Sequence, residues 1–370
     1  MVKICHMTSG HDSDDVRIFQ KECVSLASAG YDVYLVAQGK SREDRGVHVI
    51  GLNEPAPESR TKRLTEFARK IYEKALEIDA DIYHFHDPEL LPYGLKLKKR
   101  GKKVIFDSHE NYPAQLGQRE YIPKFFRSSV SGIYKAVESH CVKGLDAVIV
   151  PCTFDDKNIF EGRVKKVCFI ANYPKLSDFY YNYNPEIKGE GRVCYVGSLS
   201  YERGIYHLTK AVRMAGKKLV LAGPFSSHEF ENKLRAMEEF SCVDYMGTVP
   251  NDRVSELLQT CSIGANTLLN TGQYHHMDTF GIKVFEYMSM AMPVLLPDYP
   301  YMRKMCDKYG FGICVKTDDP SNIAQAITYL SDNPDICAQM GACGREAVEK
   351  EFNWGTQEKK LLELYSELSR

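Results

Sequence analysis

Val193-Cys194-Tyr195-Val196-Gly197-Ser198-Leu199-Ser200-Tyr201-Glu202-Arg203-Gly204-Ile205 decides how the whole chain is read. A short apolar run enters a glycine-containing loop, and a helical pattern starts at Ile205. Strand, tight turn and helix in that order open a parallel βα series. The residues just before it, 173–191, hold Pro174, Pro185, Gly189 and Gly191 among several Asn and Tyr and read as a linker. Beyond it the series continues through Leu219-Val220-Leu221-Ala222, Ile263-Gly264-Ala265, Pro293-Val294-Leu295-Leu296 and Gly312-Ile313-Cys314-Val315, with helical patterns between. An equivalent series precedes the linker: Val2-Lys3-Ile4-Cys5, Val33-Tyr34-Leu35-Val36, Ile82-Tyr83-His84-Phe85, Val104-Ile105-Phe106 and Ala147-Val148-Ile149-Val150. Helix stripes such as Val16, Phe19, Cys23, Leu26 and Leu64, Phe67, Ile71, Ala75, Ile78 separate these strands.

Strands alternating with helices imply parallel sheets covered on both faces. Two series predict an α/β chain of two Rossmann-like domains. The first spans 1–175 and is completed by a helix within 352–370; the second spans 190–351. Ligands of such sheets bind beyond the carboxyl ends of the strands, so chemistry is expected in the loops there, in a cleft between the domains.

Bulk properties exclude several classes. The 48 basic and 49 acidic residues leave a net charge of -1, which argues against general nucleic-acid binding. The 12 cysteines form no C-x-x-C pair, no signal-peptide pattern opens the sequence, and no apolar run nears the ~20 residues that span a bilayer. A cytoplasmic protein with at most peripheral membrane contact is expected. The lack of G-x-G-x-x-G after the first strand argues against an NAD-dependent oxidoreductase.

Three constellations carry chemistry. Asp278-Thr279-Phe280-Gly281-Ile282-Lys283-Val284-Phe285-Glu286 places two carboxylates around a helix start, where free amides and Lys283 can face a phosphate. Its spacing alone fits a surface loop and an ordinary capped helix equally well. Arg203, at the helix start after Gly197, suits bidentate contact with a diphosphate. His109 falls just past the strand Val104-Ile105-Phe106, within reach of a sugar hydroxyl. Asp12-Ser13-Asp14 spells a metal-binding pattern but reads better as an acidic turn before a helix. His84-x-His86 and His275-His276 lack a third ligand at convincing spacing and read as structural.

Together Val-Gly-x-Leu-Ser-x-Glu-Arg-Gly, Asp-x-Phe-Gly-x-Lys-x-x-Glu-Tyr-Met and Met-Pro-Val resemble retaining glycosyltransferases of family 4, with the GT-B fold, over nearly the whole chain. Residues 11–21, His86-Asp87-Pro88-Glu89-Leu90-Leu91-Pro92 and 107–113 are similar to bacterial polysaccharide and lipopolysaccharide members. The resemblance implies transfer from a nucleoside-diphosphate sugar, UDP more commonly than GDP, to a hydroxyl of a saccharide or lipid-linked acceptor with retention and no required metal. It implies His109, Asp278, Arg203 and Lys283 as the catalytic set. Gly10, Gly197, Ser198, Arg203, Phe280, Gly281, Ile282, Lys283 and Glu286 form the donor-binding set. His11, Asp15 and Arg17, beside the cleft, suit the acceptor side. The last helix is implied to cross back onto the first domain.

Three positions depart from the family pattern. Ser198 replaces a usual Arg or Lys, with Lys283 as its substitute; Asp278 replaces Glu; Met292 replaces Gly. A sugar-nucleotide 2-epimerase and a non-catalytic sugar-nucleotide-binding homologue share this architecture and remain open. The segment 119–135, with Arg119, Lys124, Arg127 and Lys135 among Tyr121, Phe125, Phe126 and Tyr134, reads either as an ordinary amphipathic helix or as a contact with an anionic membrane.

Overall fold

A computed structural model describes residues 1–117, 122–180, 184, 191–271 and 274–370. The chain divides into two compact units, Met1–Asn172 with Gly355–Arg370, and Tyr173–Trp354.

The first unit carries β1 (Lys3–Met7), β2 (Asp32–Ala37), β3 (Arg42–Asp44), β4 (Val47–Gly51), β5 (Ile82–Phe85), β6 (Lys103–Asp107), β7 (Ala147–Val150) and β8 (Val167–Phe169). They form one sheet in the order β3-β4-β2-β1-β5-β6-β7-β8. Only the β3–β4 pair is antiparallel. Every residue of β5 and β7 is buried, as expected for parallel strands covered on both faces. One face is apolar: Cys5, Met7, Tyr83, Phe85, Val104 and Phe106 pack with Phe67, Ile71 and Leu97 from the covering helices. The other face is not. His6 and His84, partners in the β1–β5 register, are fully buried there. Tyr365, from the helix Trp354–Leu368, reaches both imidazoles. That helix buries Leu361, Leu364 and Tyr365, and from Gly355 onward it belongs to the first unit.

The second unit has β9 (Val193–Val196), β10 (Leu219–Ala222), β11 (Val243–Tyr245), β12 (Ile263–Ala265), β13 (Val294–Pro297) and β14 (Gly312–Val315). All are parallel, in the order β11-β10-β9-β12-β13-β14. The two parallel sheets and the returning last helix match the expected GT-B architecture.

The sequence reading passed over β3, β4, β8 and β11. Three of these are three-residue edge strands, too short to show a period. The predicted linker is partly folded: the Tyr173 ring packs on Phe285 and Phe352 of the second unit. Pro185 and Gly189 lie outside the described residues.

Gly204 sets the geometry of the loop after β9. Its φ is +74°, and a Cβ there would stand 1.9 Å from the Thr267 carbonyl oxygen. Gly216 has a similar φ of +64° with nothing near its missing side chain. Gly216→Ala should therefore cost only the left-handed backbone penalty, ~1 kcal/mol. Gly204→Ala should add a backbone clash and cost at least ~3 kcal/mol. Chemical unfolding of the two variants measures the difference.

Candidate functional site

The loops following β1, β5 and β6 lie side by side because those strands are neighbours in the sheet. They deliver Thr8, Ser9, Gly10 and His11 from one loop, His86 and Asp87 from the next, and Ser108 and His109 from the third. Asp87 binds the first loop: its Oδ2 accepts from the Thr8 hydroxyl (2.7 Å), Ser9 N (2.7 Å) and Gly10 N (3.2 Å). Gly10, His11, Asp87, Glu89, His109 and Tyr112 are among the residues lining a cavity of about 460 Å³.

Asp107, at the end of β6, lies behind this cavity and is fully buried. Arg17 grips it with two bonds, Nε to Oδ2 (2.7 Å) and Nη2 to Oδ1 (2.9 Å). His109 Nε2 donates to Oδ2 at 3.0 Å, and His86 Nδ1 approaches the same oxygen at 3.3 Å. Burial alone would raise this carboxyl, but the Arg17 charge and the His109 and His86 contacts hold it well below the usual range. Burial, then the Asp107 charge, push neighbouring Glu22 well above its ordinary value. The charged form of Glu22 is thus disfavoured, although Arg17 Nε, which grips Asp107, also lies 3.3 Å from Glu22 Oε1.

Arg17 is thus placed differently from its expected acceptor-side position. It is 5% exposed, and its guanidinium is bonded to an interior carboxylate. Asp15 caps the π-helical segment Val16–Cys23, accepting from the backbone N of Arg17 and Ile18. The cap is Asp15, while Asp12 accepts from Gln38 and Asp14 pairs with Arg42. Of the three residues expected on the acceptor side, His11 lines the cavity, with Asp15 Oδ2 at 3.5 Å and Asp87 Oδ1 at 3.6 Å.

His84 and His86 do acquire further partners of ligand type. His6 and Glu22 join them with ligand atoms all within 4.8 Å. The sequence hid this because the partners come from β1 and a helix. Most of the nitrogens are already engaged: His6 Nδ1 with His86 Nε2 (3.0 Å), His6 Nε2 with the Tyr365 hydroxyl (3.1 Å) and His84 Nδ1 with the same hydroxyl (2.8 Å), leaving His84 Nε2. A polar residue inside an apolar strand run, as His6 and His84 are, was the available signal.

The second unit gathers the phosphate-type groups. Gly197 leaves β9 with φ +128°, and a side chain there would meet Lys283 Nζ at 3.0 Å. Lys283 Nζ stands 3.7 Å from the centre of the Tyr195 ring. Burial, reinforced by the Arg203 charge and opposed by Glu286, lowers the Lys283 pKa well below its ordinary value. Arg203 lies over Tyr274 and donates to its hydroxyl at 3.2 Å. The helix Ile282–Ser289 begins after Gly281 with no side-chain cap; the Val284 amide turns back to the Gly281 carbonyl (2.9 Å), and a helix start of this kind suits an anion at the amides before it. Gly281 and Ile282 are exposed there, and Ser198 is exposed beside Gly197. The Phe280 side chain faces inward, packed on Phe285, Tyr301 and Phe311, so only its backbone is open to a ligand. Asp278 and Glu286 are half-buried on either side of this helix start. Met292, where the family has Gly, fills space in the second unit's core. The structure therefore brings Arg203, Lys283, Glu286 and Gly197 together, and places His109 with His11 in the first unit.

Two family models match the chain: "Glycosyl transferases group 1" over residues 182–347 and "Glycosyltransferase Family 4" over residues 20–172. No curated protein matches in sequence. Solved structures match in fold. Sucrose-phosphate synthase from Thermosynechococcus elongatus superposes with a TM-score of 0.75 at 17% identity, covering 100% of this chain and 99% of that one. WaaG, a glycosyltransferase involved in lipopolysaccharide biosynthesis, gives 0.68 at 14% identity, covering 98% of each chain. Anabaena HepE, in complex with UDP-glucose, gives 0.68 at 13% identity, covering 99% of this chain and 100% of that one.

The His11–Asp15 pair has a defined pH signature. Burial opposes the charge on His11, but the Asp15 hydrogen bond and the Asp87 charge outweigh it and raise its pKa. Asp15 is depressed: burial raises it, while His11 and the Ile18 amide pull it further down. The raised histidine contributes stability below its unfolded pKa of about 6.5, lost as pH rises through the folded value. The depressed aspartate contributes above about pH 3.9, lost as pH falls through its own folded value. Asp15→Asn keeps the cap but removes the charge. It should lower the His11 pKa by NMR titration and reduce the melting temperature more at pH 5.5 than at pH 8.5.

Proposed function

We propose that this chain, a family 4-like glycosyltransferase by its two family matches, moves a sugar from a nucleoside-diphosphate sugar to a hydroxyl of a saccharide or lipid-linked acceptor, with retained anomeric configuration. One observation carries this reading: Arg203 and Lys283 stand at an uncapped helix start beside the glycine turn after β9. That is a receptor for a doubly charged leaving group. Burial disfavours the charge on Lys283, and an anion arriving beside it favours the charged form. Lys283 also occupies the space against Gly197 next to Ser198, which supports its standing in for the cation missing there. No metal enters this reading.

As the anomeric carbon–oxygen bond breaks, negative charge collects on the departing diphosphate. Arg203, Lys283 and the amides after Gly281 stabilise it, each by ~3 kcal/mol. The acceptor oxygen bonds to the anomeric carbon on the face the diphosphate leaves, and its proton passes to the departing phosphate oxygen. Glu286 holds the ribose; His109 and Asp278 orient the sugar; His11 lies on the acceptor side. Complexes of HepE with UDP and with UDP-glucose support a uridine donor. WaaG's part in lipopolysaccharide biosynthesis supports a role in bacterial surface polysaccharide synthesis.

Arg203→Ala and Lys283→Ala should each lower kcat by roughly 100-fold while the melting temperature stays near wild type. The assay is transfer from a UDP- and GDP-sugar panel to saccharide and lipid-linked acceptors. Near-native rates in both variants, or an epimer formed from donor alone, would reject the assignment.

The reading includes contact with an anionic membrane. No helix among the described residues is long and apolar enough to cross a membrane. The helix Lys124–Lys143, however, exposes Phe125 (85%), Phe126 (53%), Ile133 (67%) and Val137 (51%) among exposed Lys124, Lys135 and Lys143. Arg119 and Tyr121 lie outside the described residues. Flotation with phosphatidylglycerol-containing liposomes should carry the protein upward, and Phe125→Ser with Phe126→Ser should abolish this. No binding at any anionic-lipid content would remove the membrane from the proposal.

A further inference from the structure

The buried histidines form one directed chain of hydrogen bonds, and its direction follows from charge alone. Asp107 is ionised and can only accept. His86 Nδ1, 3.3 Å from Asp107 Oδ2, must therefore carry the hydrogen. Burial keeps His6, His84 and His86 neutral, with pKa values below the ordinary one. A neutral imidazole has one donor and one lone pair, so His86 Nε2 accepts. His6 Nδ1, 3.0 Å away, donates to it, and His6 Nε2 becomes the acceptor. The Tyr365 hydroxyl, 3.1 Å from that nitrogen, donates in turn, and its oxygen accepts from His84 Nδ1 at 2.8 Å. The last lone pair, on His84 Nε2, has no partner among the described residues. Reversing Tyr365 would reverse every link and set a His86 lone pair against the Asp107 carboxylate.

The near end of the chain meets the cavity. His109 Nε2 lies 3.0 Å from Asp107 Oδ2 and 3.4 Å from His86 Nδ1. While His86 presents a hydrogen there, Asp107 is the acceptor open to His109. With the opposite tautomer, His86 would offer a competing lone pair, and the His109 ring would lose its single orientation.

We propose that Tyr365 is a positioning residue for the transfer reaction, its hydroxyl holding the far end of the tautomer chain that Asp107 directs through His86 and His6, and so keeping His109 aimed into the cavity. The seating of the last helix on the first unit thereby becomes a condition for an ordered site. The functional part rests on the glycosyltransferase reading; the tautomer pattern does not.

The test is Tyr365→Phe, which removes one oxygen and keeps the ring that packs against Tyr31 and the histidines. Histidine-labelled protein, with resonances assigned by single His→Asn variants, should show hydrogen on Nδ1 of His6, His84 and His86. In Tyr365→Phe the His6 and His86 signals should broaden or split, and His109 should shift with them. With donor and acceptor, kcat should fall at least roughly fivefold, the loss of about one hydrogen bond, while donor KM stays within about twofold. Emission from Trp354, the one tryptophan, should be unchanged, showing that the helix stays docked. Hydrogen on Nε2 of His6 or His86 in the unmodified protein would overturn the proposal without any activity measurement. So would a Tyr365→Phe enzyme with native kcat and native His109 signals. Wild-type protein inactive with every donor, but with the tautomers as stated, would count against the transferase reading alone.

Discussion

An ionised carboxylate with no access to water must be matched by charge and hydrogen bonds, and Asp107 is where the first unit meets that demand. Removing Arg17 would leave a bare charge in the interior, at a cost of ~3–5 kcal/mol. Arg17 therefore acts first on the fold, although it lies on the segment that follows the loop of Gly10 and His11. The same carboxylate orders what surrounds it: burial and the Asp107 charge disfavour ionisation of Glu22, and two histidines converge on Oδ2, the oxygen that Arg17 Nε also holds. The carboxyl end of β6 thus serves as both structural anchor and back wall of the cavity.

The second unit follows the opposite electrostatic logic. Its first-unit counterpart is balanced internally, whereas here two cations and a helix terminus face outward with a carboxylate, Glu286, alongside. The cost is visible at Lys283, whose charged form burial disfavours. Preorganised positive charge of this kind is unfavourable when empty and most valuable when negative charge develops. The aromatic faces of Tyr195 and Tyr274 reduce that cost by lying against the two cations.

Much of this was legible in the residues. Strand runs such as Ala147-Val148-Ile149-Val150 are buried on both faces and announce a parallel sheet. The turn from Gly197 to Arg203 and the helix start after Gly281 are local, so sequence spacing shows them. What escaped was long-range. His84 stood out in His84-x-His86, but its partners His6, Glu22 and Tyr365 could not be paired with it from spacing, because their chemistry exists only when β1, β5 and two helices meet. The partner of Arg17 escaped for the same reason: nothing near it in sequence announces the Asp107 carboxylate, which is ninety residues away. Edge strands such as β3 escaped because three residues cannot display a period.

Tyr365 meets His84 across 281 residues of chain. During synthesis on the ribosome, all eight strands of the first sheet emerge before the second unit has been made, yet the helix that covers their polar face comes after it. Until then the imidazoles of β1 and β5 lack the Tyr365 hydroxyl, and the growing chain holds a layer whose roof is incomplete. The first unit to begin folding is consequently the last to finish, and the intervening 173–354 stretch must collapse by itself, as a compact insert, for the roof to come within reach.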